Sequence, residues 1–259
     1  MRRAVVTRPA GEASGWAAAL GERGWAVAEL PLIEITAPAD DASLRCARAA
    51  CGDYDALMFV SAAAATHFFS GQRWDDRGGT SRCWAPGPAT ARALRAVGVP
   101  PERIDTPARD AEQFDSESLW LQVSSQVDAG HRLLIVRGQT EDAGDGARGN
   151  GRDWLAQQCQ QRGGAVDWCV AYRRQPPAWS AAQLARARTA VTDGSVWLLS
   201  SSEAIVNLGR LLPGADWRRA RALVTHPRIA EAATRLGFGA TIISRASLPE
   251  VLRNLESMP

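Results

Sequence analysis

The stretch GPATARALRAVG at residues 87–98 occurs a second time, in altered form, as HPRIAEAATRLG at residues 226–237. Both copies have proline in second place, alanine in fifth and seventh place, and glycine in twelfth place. Proline is favoured in the first turn of a helix and glycine just after its end, so each copy predicts a helix with both ends marked. The repeat therefore indicates two halves of similar architecture.

Each copy follows an apolar strand that ends in serine. ALMFVS at residues 56–61 precedes the first copy, and VWLLSS at residues 196–201 precedes the second. Strands alternate with helical patterns along the rest of the chain, which is typical of an α/β fold with parallel sheets. Ligands of such sheets bind at the carboxyl ends of the strands. The two serines, and the two helices that start with proline, are predicted to lie at these ends.

The domain organisation follows from counting strands. The segment after Pro177 is one strand short of a comfortable sheet, and the N-terminal strand has no other neighbour. We predict a discontinuous α/β domain of residues 1–35 and 174–259, with a second α/β domain of residues 36–173 inserted into it. The linkers, about 31–36 and 171–177, would form a two-stranded connection, with a ligand cleft between the domains.

Further segments complete the predicted order of elements. Residues 25–35 are long for one strand and contain Pro31, which favours an edge strand or a connector. Residues 116–127 predict one helix, and short strands are predicted at residues 133–136 and 166–170. The glycine-rich residues 144–151 lack the GK[ST] ending of a phosphate loop and predict a surface insertion.

Composition excludes several classes of function. The net charge of the 259-residue chain is only +2, so nothing indicates a nucleic-acid surface. All 30 basic residues are arginine, which excludes a Schiff-base or P-loop lysine. No run of about 18 apolar residues predicts a membrane span, and the start does not resemble a signal peptide. The five scattered cysteines predict reduced thiols in a cytoplasmic protein.

Resident cofactors are also disfavoured. The three histidines, His67, His131 and His226, are far apart and no Cys/His cluster accompanies them, so we predict no metal site. No GxGxxG follows a predicted strand, so a dinucleotide is not expected either.

Seven short segments, in order along nearly the whole chain, resemble the uroporphyrinogen-III synthase family. They are VTRP (6–9), LPLIEI (30–35), YDALMFVSA (54–62), GPATA (87–91), VRG with GRDWL (136–138 and 151–155), VAYRR (170–174) and THPRIA (225–230).

The resemblance implies a cofactor-free, cytoplasmic and monomeric enzyme of heme and other tetrapyrrole biosynthesis. Its substrate would be hydroxymethylbilane, a linear tetrapyrrole rich in carboxylates, which it would close to uroporphyrinogen III with inversion of ring D. Such an enzyme needs to assist the leaving hydroxyl and to position the chain, which matters more than acid–base strength. A transient contact with the enzyme that makes hydroxymethylbilane is a further expectation.

The resemblance and the predicted topology together name the candidate site residues. Tyr172 is the candidate catalytic residue, because its phenol could protonate the departing hydroxyl; the alternative is a structural linker tyrosine. The candidate substrate-binding residues could equally be helix caps, strand ends or partners in surface salt bridges. They are Arg8, Ser61, Thr90, Arg137, Arg152, Ser201, Thr225 and Arg228.

Two other functions remain open from the sequence. A non-enzymatic binder of a small polyanion would use the same strand ends and the same linkers. A transferase with a nucleotide-activated donor would need a catalytic acid or base, for which the sequence offers no candidate.

Overall fold

The computed structural model describes residues 2–74, 79–108, 110–111, 113–140, 150–245 and 247–257, without the side chains of residues 150–152. The chain divides into two compact units. The discontinuous unit comprises Met1–Ile35 and Gln175–Pro259, and the inserted unit comprises Thr36–Arg174. None of the helices in the described part of the chain has the length and apolar character that crossing a membrane requires.

The discontinuous unit contains a five-stranded sheet in the order β11-β10-β9-β1-β2, in which every neighbouring pair is parallel. Its strands are β1 (Arg3–Val6), β2 (Ala26–Glu29), β9 (Val196–Leu199), β10 (Arg221–Val224) and β11 (Ala240–Ile243). Its helices are α1 (Ala10–Gly21), α7 (Ala181–Thr192), α8 (Ser202–Leu211), α9 (Pro227–Leu236) and α10 (Leu248–Glu256).

Helices cover both faces of this sheet. Val5 of β1 packs in one apolar cluster with residues of α7, α8 and α9. Its neighbours Ala4 and Val6 point the other way and pack with residues of α1 and α10. A strand that is buried on both faces has a continuous apolar sequence. Strand β9 shows this, since all four residues of VWLL are buried.

The inserted unit contains a six-stranded sheet in the order β3-β8-β7-β4-β5-β6, and the pairs from β8 to β6 are parallel. Its strands are β3 (Glu34–Thr36, which begins in the discontinuous unit), β4 (Ala56–Phe59), β5 (Arg82–Trp84), β6 (Ile104–Asp105), β7 (Arg132–Thr140) and β8 (Ala165–Gln175). Its helices are α2 (Ala42–Ala49), α3 (Ala62–Phe68), α4 (Pro88–Ala96), α5 (Ser116–Val123) and α6 (Asn150–Gln161).

The pairing of β7 with β8 changes register in the middle of the two strands. Arg137 lies opposite Val170, but the next residue, Gly138, lies opposite Tyr172, so Ala171 is an extra residue on β8. Such a bulge bends its strand and redirects the side chains beyond it. The irregularity therefore determines where Tyr172 points.

Residues 25–35 are not one strand, as Pro31 indicates: they form β2 and β3, which are edge strands of the two sheets, because Pro31 has no backbone N–H for a sheet ladder and lies between them. Three predicted boundaries were wrong. Helix α5 ends at Val123, and a 3₁₀ turn over Ser124–Gln126 follows it. Strands β7 and β8 extend well beyond the predicted residues 133–136 and 166–170, because polar residues continue both ladders.

The glycine-rich segment lies mostly outside the described residues. Residues 144–149 belong to the part of the chain that the structure does not describe. Residues 150 and 151 are not part of a loop, since α6 begins at Asn150.

Candidate functional site

The polar residues named from the sequence follow strands in both units. Ser61 lies just beyond β4, at the level where the amide of Val60 donates to the carbonyl of Val136, so Arg137 of β7 belongs to the same sheet edge. In the discontinuous unit, Arg8, Ser201 and Thr225 lie just beyond β1, β9 and β10. Each unit thus presents polar side chains at the carboxyl ends of its parallel strands, the edge at which such sheets bind ligands.

Tyr172 is the best defined of these residues. Its side chain is 3% exposed, although it lies near the carboxyl end of β8. Its phenol oxygen lies 3.1 Å from Oγ of Ser61, at hydrogen-bond distance. The structure therefore brings together the candidate catalytic residue and one candidate binding residue.

Ser61 has two hydrogen-bonding roles. It is the N-cap of α3, and its Oγ accepts a hydrogen bond of 3.1 Å from the amide of Ala64. This is the usual role of serine at the start of a helix, because the first amides of a helix have no carbonyl partner within it. The same oxygen contacts Tyr172, so the capping and functional interpretations are compatible.

The glycine of the RG pair supports the Tyr172 ring, a role that the sequence analysis did not assign. A Cβ added to Gly138 would lie 2.3 Å from Cζ and 2.4 Å from Cε2 of Tyr172. Any larger residue would collide with the ring. The only signal in the sequence was the glycine itself inside an extended segment, which often marks a close approach of side chain and backbone.

His67 contacts Tyr172 from α3, and this residue was also missed. The two ring centroids are 5.7 Å apart, with an angle of 32° between the ring planes. Burial lowers the pKa of His67 below its usual value, and the charge of Arg48 lowers it further. Arg48 donates hydrogen bonds of 2.6 Å to the carbonyls of His67 and Phe68 at the end of α3. Both effects favour the neutral form of the imidazole.

Arg137 is half-buried at the same sheet edge. Its guanidinium carbon lies 4.9 Å from the ring centroid of Trp168, within the range of a cation–π contact. Its Nε is buried and has no hydrogen-bond partner among the described residues. A buried donor of this kind is costly when unpaired, and a carboxylate ligand would satisfy it.

The other two candidates of the inserted unit belong to helix starts. Thr90 lies in the first turn of α4, after Gly87 and Pro88, and is only 4% exposed. The half-exposed ring of Phe114 borders this turn, since a Cβ added to Gly87 would lie 3.8 Å from Cβ of Phe114. Arg152 lies in the first turn of α6, and its side chain is not among those described.

Arg8 of the discontinuous unit is already engaged. Its Nη1 forms a 2.9 Å salt bridge with Glu12, and its guanidinium carbon lies 4.2 Å from the ring centroid of Trp16. These contacts hold the guanidinium at the carboxyl end of β1 and do not use all of its five N–H donors.

Ser201, Thr225 and Arg228 lie at two helix starts of the same unit. Ser201 is the N-cap of α8 but makes no side-chain capping hydrogen bond. Thr225 is half-buried and precedes His226, whose Nδ1 accepts a 3.1 Å hydrogen bond from the amide of Arg228. Arg228 itself is exposed in the first turn of α9. His226 is therefore a helix cap.

One cavity lies at the opposite edge of the inserted sheet. It has a volume of about 370 Å³ and contains none of the candidate residues. Its lining residues precede or begin strands: Asp55, Arg82, Gln126, Asp128, Ala129, Gly130 and His131. Among the described residues, no group of three or more His, Cys, Asp or Glu side chains could hold a metal ion.

The fold and the site together define an α/β protein of two parallel-sheet units, each with polar side chains at the carboxyl ends of its strands. The family model for "Uroporphyrinogen-III synthase HemD" matches residues 14–252. A uroporphyrinogen-III synthase of Synechococcus elongatus is 31% identical over 228 residues, which are 82% of this chain and 76% of that protein. The chain belongs to the uroporphyrinogen-III synthase family.

Two solved structures with this fold come from other bacteria. A mutant uroporphyrinogen III synthase of Thermus thermophilus aligns with a TM-score of 0.56 at 14% identity, over 99% of this chain and 98% of that one. The uroporphyrinogen-III synthetase of Helicobacter pylori aligns with a TM-score of 0.57 at 12% identity, over the full length of both chains. At these identities the likeness shows the fold alone.

Proposed function

We propose that this chain converts hydroxymethylbilane to uroporphyrinogen III, with inversion of ring D. Membership of the family is the observation that carries the proposal. The arrangement of Tyr172 and Ser61 at the carboxyl edge of the inserted sheet supports it, because a hydroxyl donor lies where a ligand would bind.

The reaction begins with loss of the terminal hydroxyl of the substrate. Tyr172 donates its phenol proton to that oxygen, which leaves as water and gives a cationic azafulvenium. The substituted carbon of ring D attacks the azafulvenium methylene and forms a spiro intermediate. The bond from that carbon to the methylene of ring C then breaks, this methylene bonds to the free α carbon of ring D, and the proton lost from the α carbon restores the phenol.

Substrate binding in this proposal relies on guanidinium groups. Arg137 offers a buried Nε without a partner among the described residues, and Arg8 and Arg228 lie at strand and helix ends of the discontinuous unit. Guanidinium groups bind carboxylates in a forked geometry, which suits the acetate and propionate groups of the substrate. The other proposed contacts are Ser61, Thr90, Arg152, Ser201 and Thr225, and the half-exposed ring of Phe114 is suited to a pyrrole face.

Analysis of the product isomer tests this proposal. Hydroxymethylbilane is generated in the assay by the enzyme that makes it, the products are oxidised to porphyrins, and the isomers are separated by chromatography. We expect uroporphyrinogen III from the complete mixture and the uninverted isomer without this chain. A protein that binds the substrate but leaves the uninverted isomer as product is a polyanion binder, and that result overturns the proposal.

We also propose that the chain acts as a cytoplasmic monomer without a cofactor. Its five cysteines are free thiols, and four of them are buried, which suits a reducing compartment. A transient contact with the preceding enzyme would protect a substrate that closes spontaneously. Light scattering of the purified chain tests whether it is a monomer, and light scattering of its mixture with that enzyme tests whether the two proteins form a complex.

A further inference from the structure

We propose that Ser61 is a positioning residue for Tyr172: its hydroxyl accepts a hydrogen bond from the amide of Ala64 and donates one to the phenol oxygen. Gly138 provides the surface against which the ring of Tyr172 packs. The inference rests on the proposed function of Tyr172 and assigns it a supporting group of residues. It replaces a direct substrate contact as the main role of the Ser61 hydroxyl.

The residues around the ring come from two different elements besides its own strand. Gly138 lies under the ring on β7, Ser61 contacts the phenol from the start of α3, and His67 contacts the ring from the last turn of α3. The bulge at Ala171 turns Tyr172 onto Gly138. A ring held on several sides and 3% exposed has little rotational freedom, so the phenol oxygen occupies a fixed position.

The relay from the Ala64 amide through Ser61 assigns Ser61 as the donor to the phenol oxygen. Ser61 Oγ accepts from the amide of Ala64, and its own proton is then available for the phenol oxygen at 3.1 Å. With Ser61 as donor, the phenol proton is free to move to the departing hydroxyl. Hydrogen bonds in such a chain polarise one another, so the amide strengthens the serine as a donor.

The chain of hydrogen bonds favours proton transfer itself. When the phenol O–H bond breaks and the proton joins the leaving oxygen to form water, negative charge remains on the Tyr172 oxygen. The hydrogen bond from Ser61 then becomes charge-assisted and roughly twice as strong. An interaction that strengthens along the reaction raises kcat more than it changes KM.

Tyrosine NMR gives a readout that does not depend on activity. The chain has only two tyrosines, Tyr54 and Tyr172, so labelling with 3-fluorotyrosine or with ¹³C at Cζ gives two signals. Tyr54→Phe assigns them. We expect Ser61→Ala to shift the Tyr172 signal and to lower kcat by about tenfold to a hundredfold, with KM changed by less than about threefold.

Two variants separate this role from helix capping. Ser61→Thr keeps both hydrogen bonds, so we expect it to restore the Tyr172 signal and most of kcat. Ser61→Asp keeps a strong capping acceptor but has no proton to donate, so kcat should remain low. Ser180→Ala is the matched control, because Ser180 caps α7 through a capping box far along the chain. We expect it to lose only the capping contribution, with the Tyr172 signal and kcat unchanged.

Gly138→Ala tests the contact between Gly138 and the ring of Tyr172 directly. We expect a displaced Tyr172 signal and a kcat lowered by more than about tenfold, in a protein whose circular dichroism still shows the fold. Gly15→Ala is its control, since a Cβ at Gly15 meets nothing within 4 Å. If Gly138→Ala does not fold, the Ser61 variants carry the test.

The outcomes distinguish this inference from the proposed function. A Tyr172 signal unmoved by Ser61→Ala overturns the relay, and so does a normal kcat with a raised KM, which would make Ser61 a substrate contact. A wild-type chain that gives only uninverted product, while the Tyr172 signal responds to Ser61→Ala, overturns the proposed function. The inferred positioning of Tyr172 by Ser61 and Gly138 would then still hold.

Discussion

Replacing Tyr172 by phenylalanine tests the proposed leaving-group assistance with little disturbance of the fold. The phenylalanine ring keeps its contacts with Gly138 and His67, and only the hydroxyl and its 3.1 Å hydrogen bond to Ser61 are lost. A single hydrogen bond contributes about 1 kcal/mol net, so the free energy of unfolding should fall by no more than about that amount. Urea denaturation measures it.

The expected loss of activity is larger than this loss of stability. Positioned acid–base groups typically contribute about 10²- to 10⁴-fold, but this leaving group is intrinsically labile. We therefore expect kcat to fall by about ten- to a thousandfold, with product that is still mainly the inverted isomer, because binding geometry decides the isomer.

Tyr54→Phe is the matched control. Its hydroxyl donates a 2.9 Å hydrogen bond to Asp167, and it lies before β4, at the other edge of the same sheet. We expect a similarly small change in stability and full activity. A Tyr172→Phe enzyme that works at the wild-type rate, or that releases mostly uninverted product, would refute the assignment of Tyr172.

Three further predictions concern stability and reactivity. Gly239→Ala should destabilise the chain by about 3 kcal/mol in urea denaturation, because the new Cβ would lie 1.8 Å from the carbonyl oxygen of Arg218. The control Gly15→Ala should stabilise the chain by about 0.5 kcal/mol, because its Cβ meets nothing within 4 Å. Equal effects of the two substitutions on the free energy of unfolding would contradict this. Ellman's reagent should label the exposed Cys46 rapidly and the buried cysteines only on unfolding. Burial raises the pKa of Cys159 to about 11 and of Cys169 to about 12, so the stability that these thiols contribute is complete below pH 9 and is lost as pH rises above it. A free energy of unfolding that does not change with pH above 9 would count against this. Because the pKa of His67 is lowered in the folded chain, the unfolded chain binds its proton first as pH falls below 6.5; stability should decline there, and His67→Gln should decline less.

The fold class could be predicted from the sequence because its signals are local. Apolar strands such as VWLL, prolines at the first positions of α4 and α9, and the serine at the start of α3 each act within a few residues. The left-handed Gly237 after α9 is of the same kind, since its φ of 105° favours glycine. Such signals predict elements and their order, and parallel pairing follows from the alternation of strands and helices.

The surroundings of Tyr172 could not be predicted, because they depend on register. The sequence indicates a tyrosine near the end of a strand and a glycine in another, but not that an extra residue at position 171 brings them opposite each other. A shift of one residue would turn the ring to the other face of the sheet. His67 was missed for a related reason, since its contact requires the end of α3 to approach β8.

The position of β1 inside the five-stranded sheet, between β9 and β2, has a consequence for synthesis. Strand β1 is made first, yet its register partner for Ala4 is Val196, and most of the sheet is encoded after the inserted unit. While the ribosome is still translating, β1 and β2 have only each other, and a lone pair of strands is at best marginally stable in water. The inserted unit, whose strands β4 to β8 are contiguous in sequence, can therefore fold during translation, whereas the discontinuous unit must wait for its last strands. A chain truncated near residue 190 would expose the apolar residues of β1, so we expect it to be a substrate for proteases and chaperones and to lose solubility as well as activity.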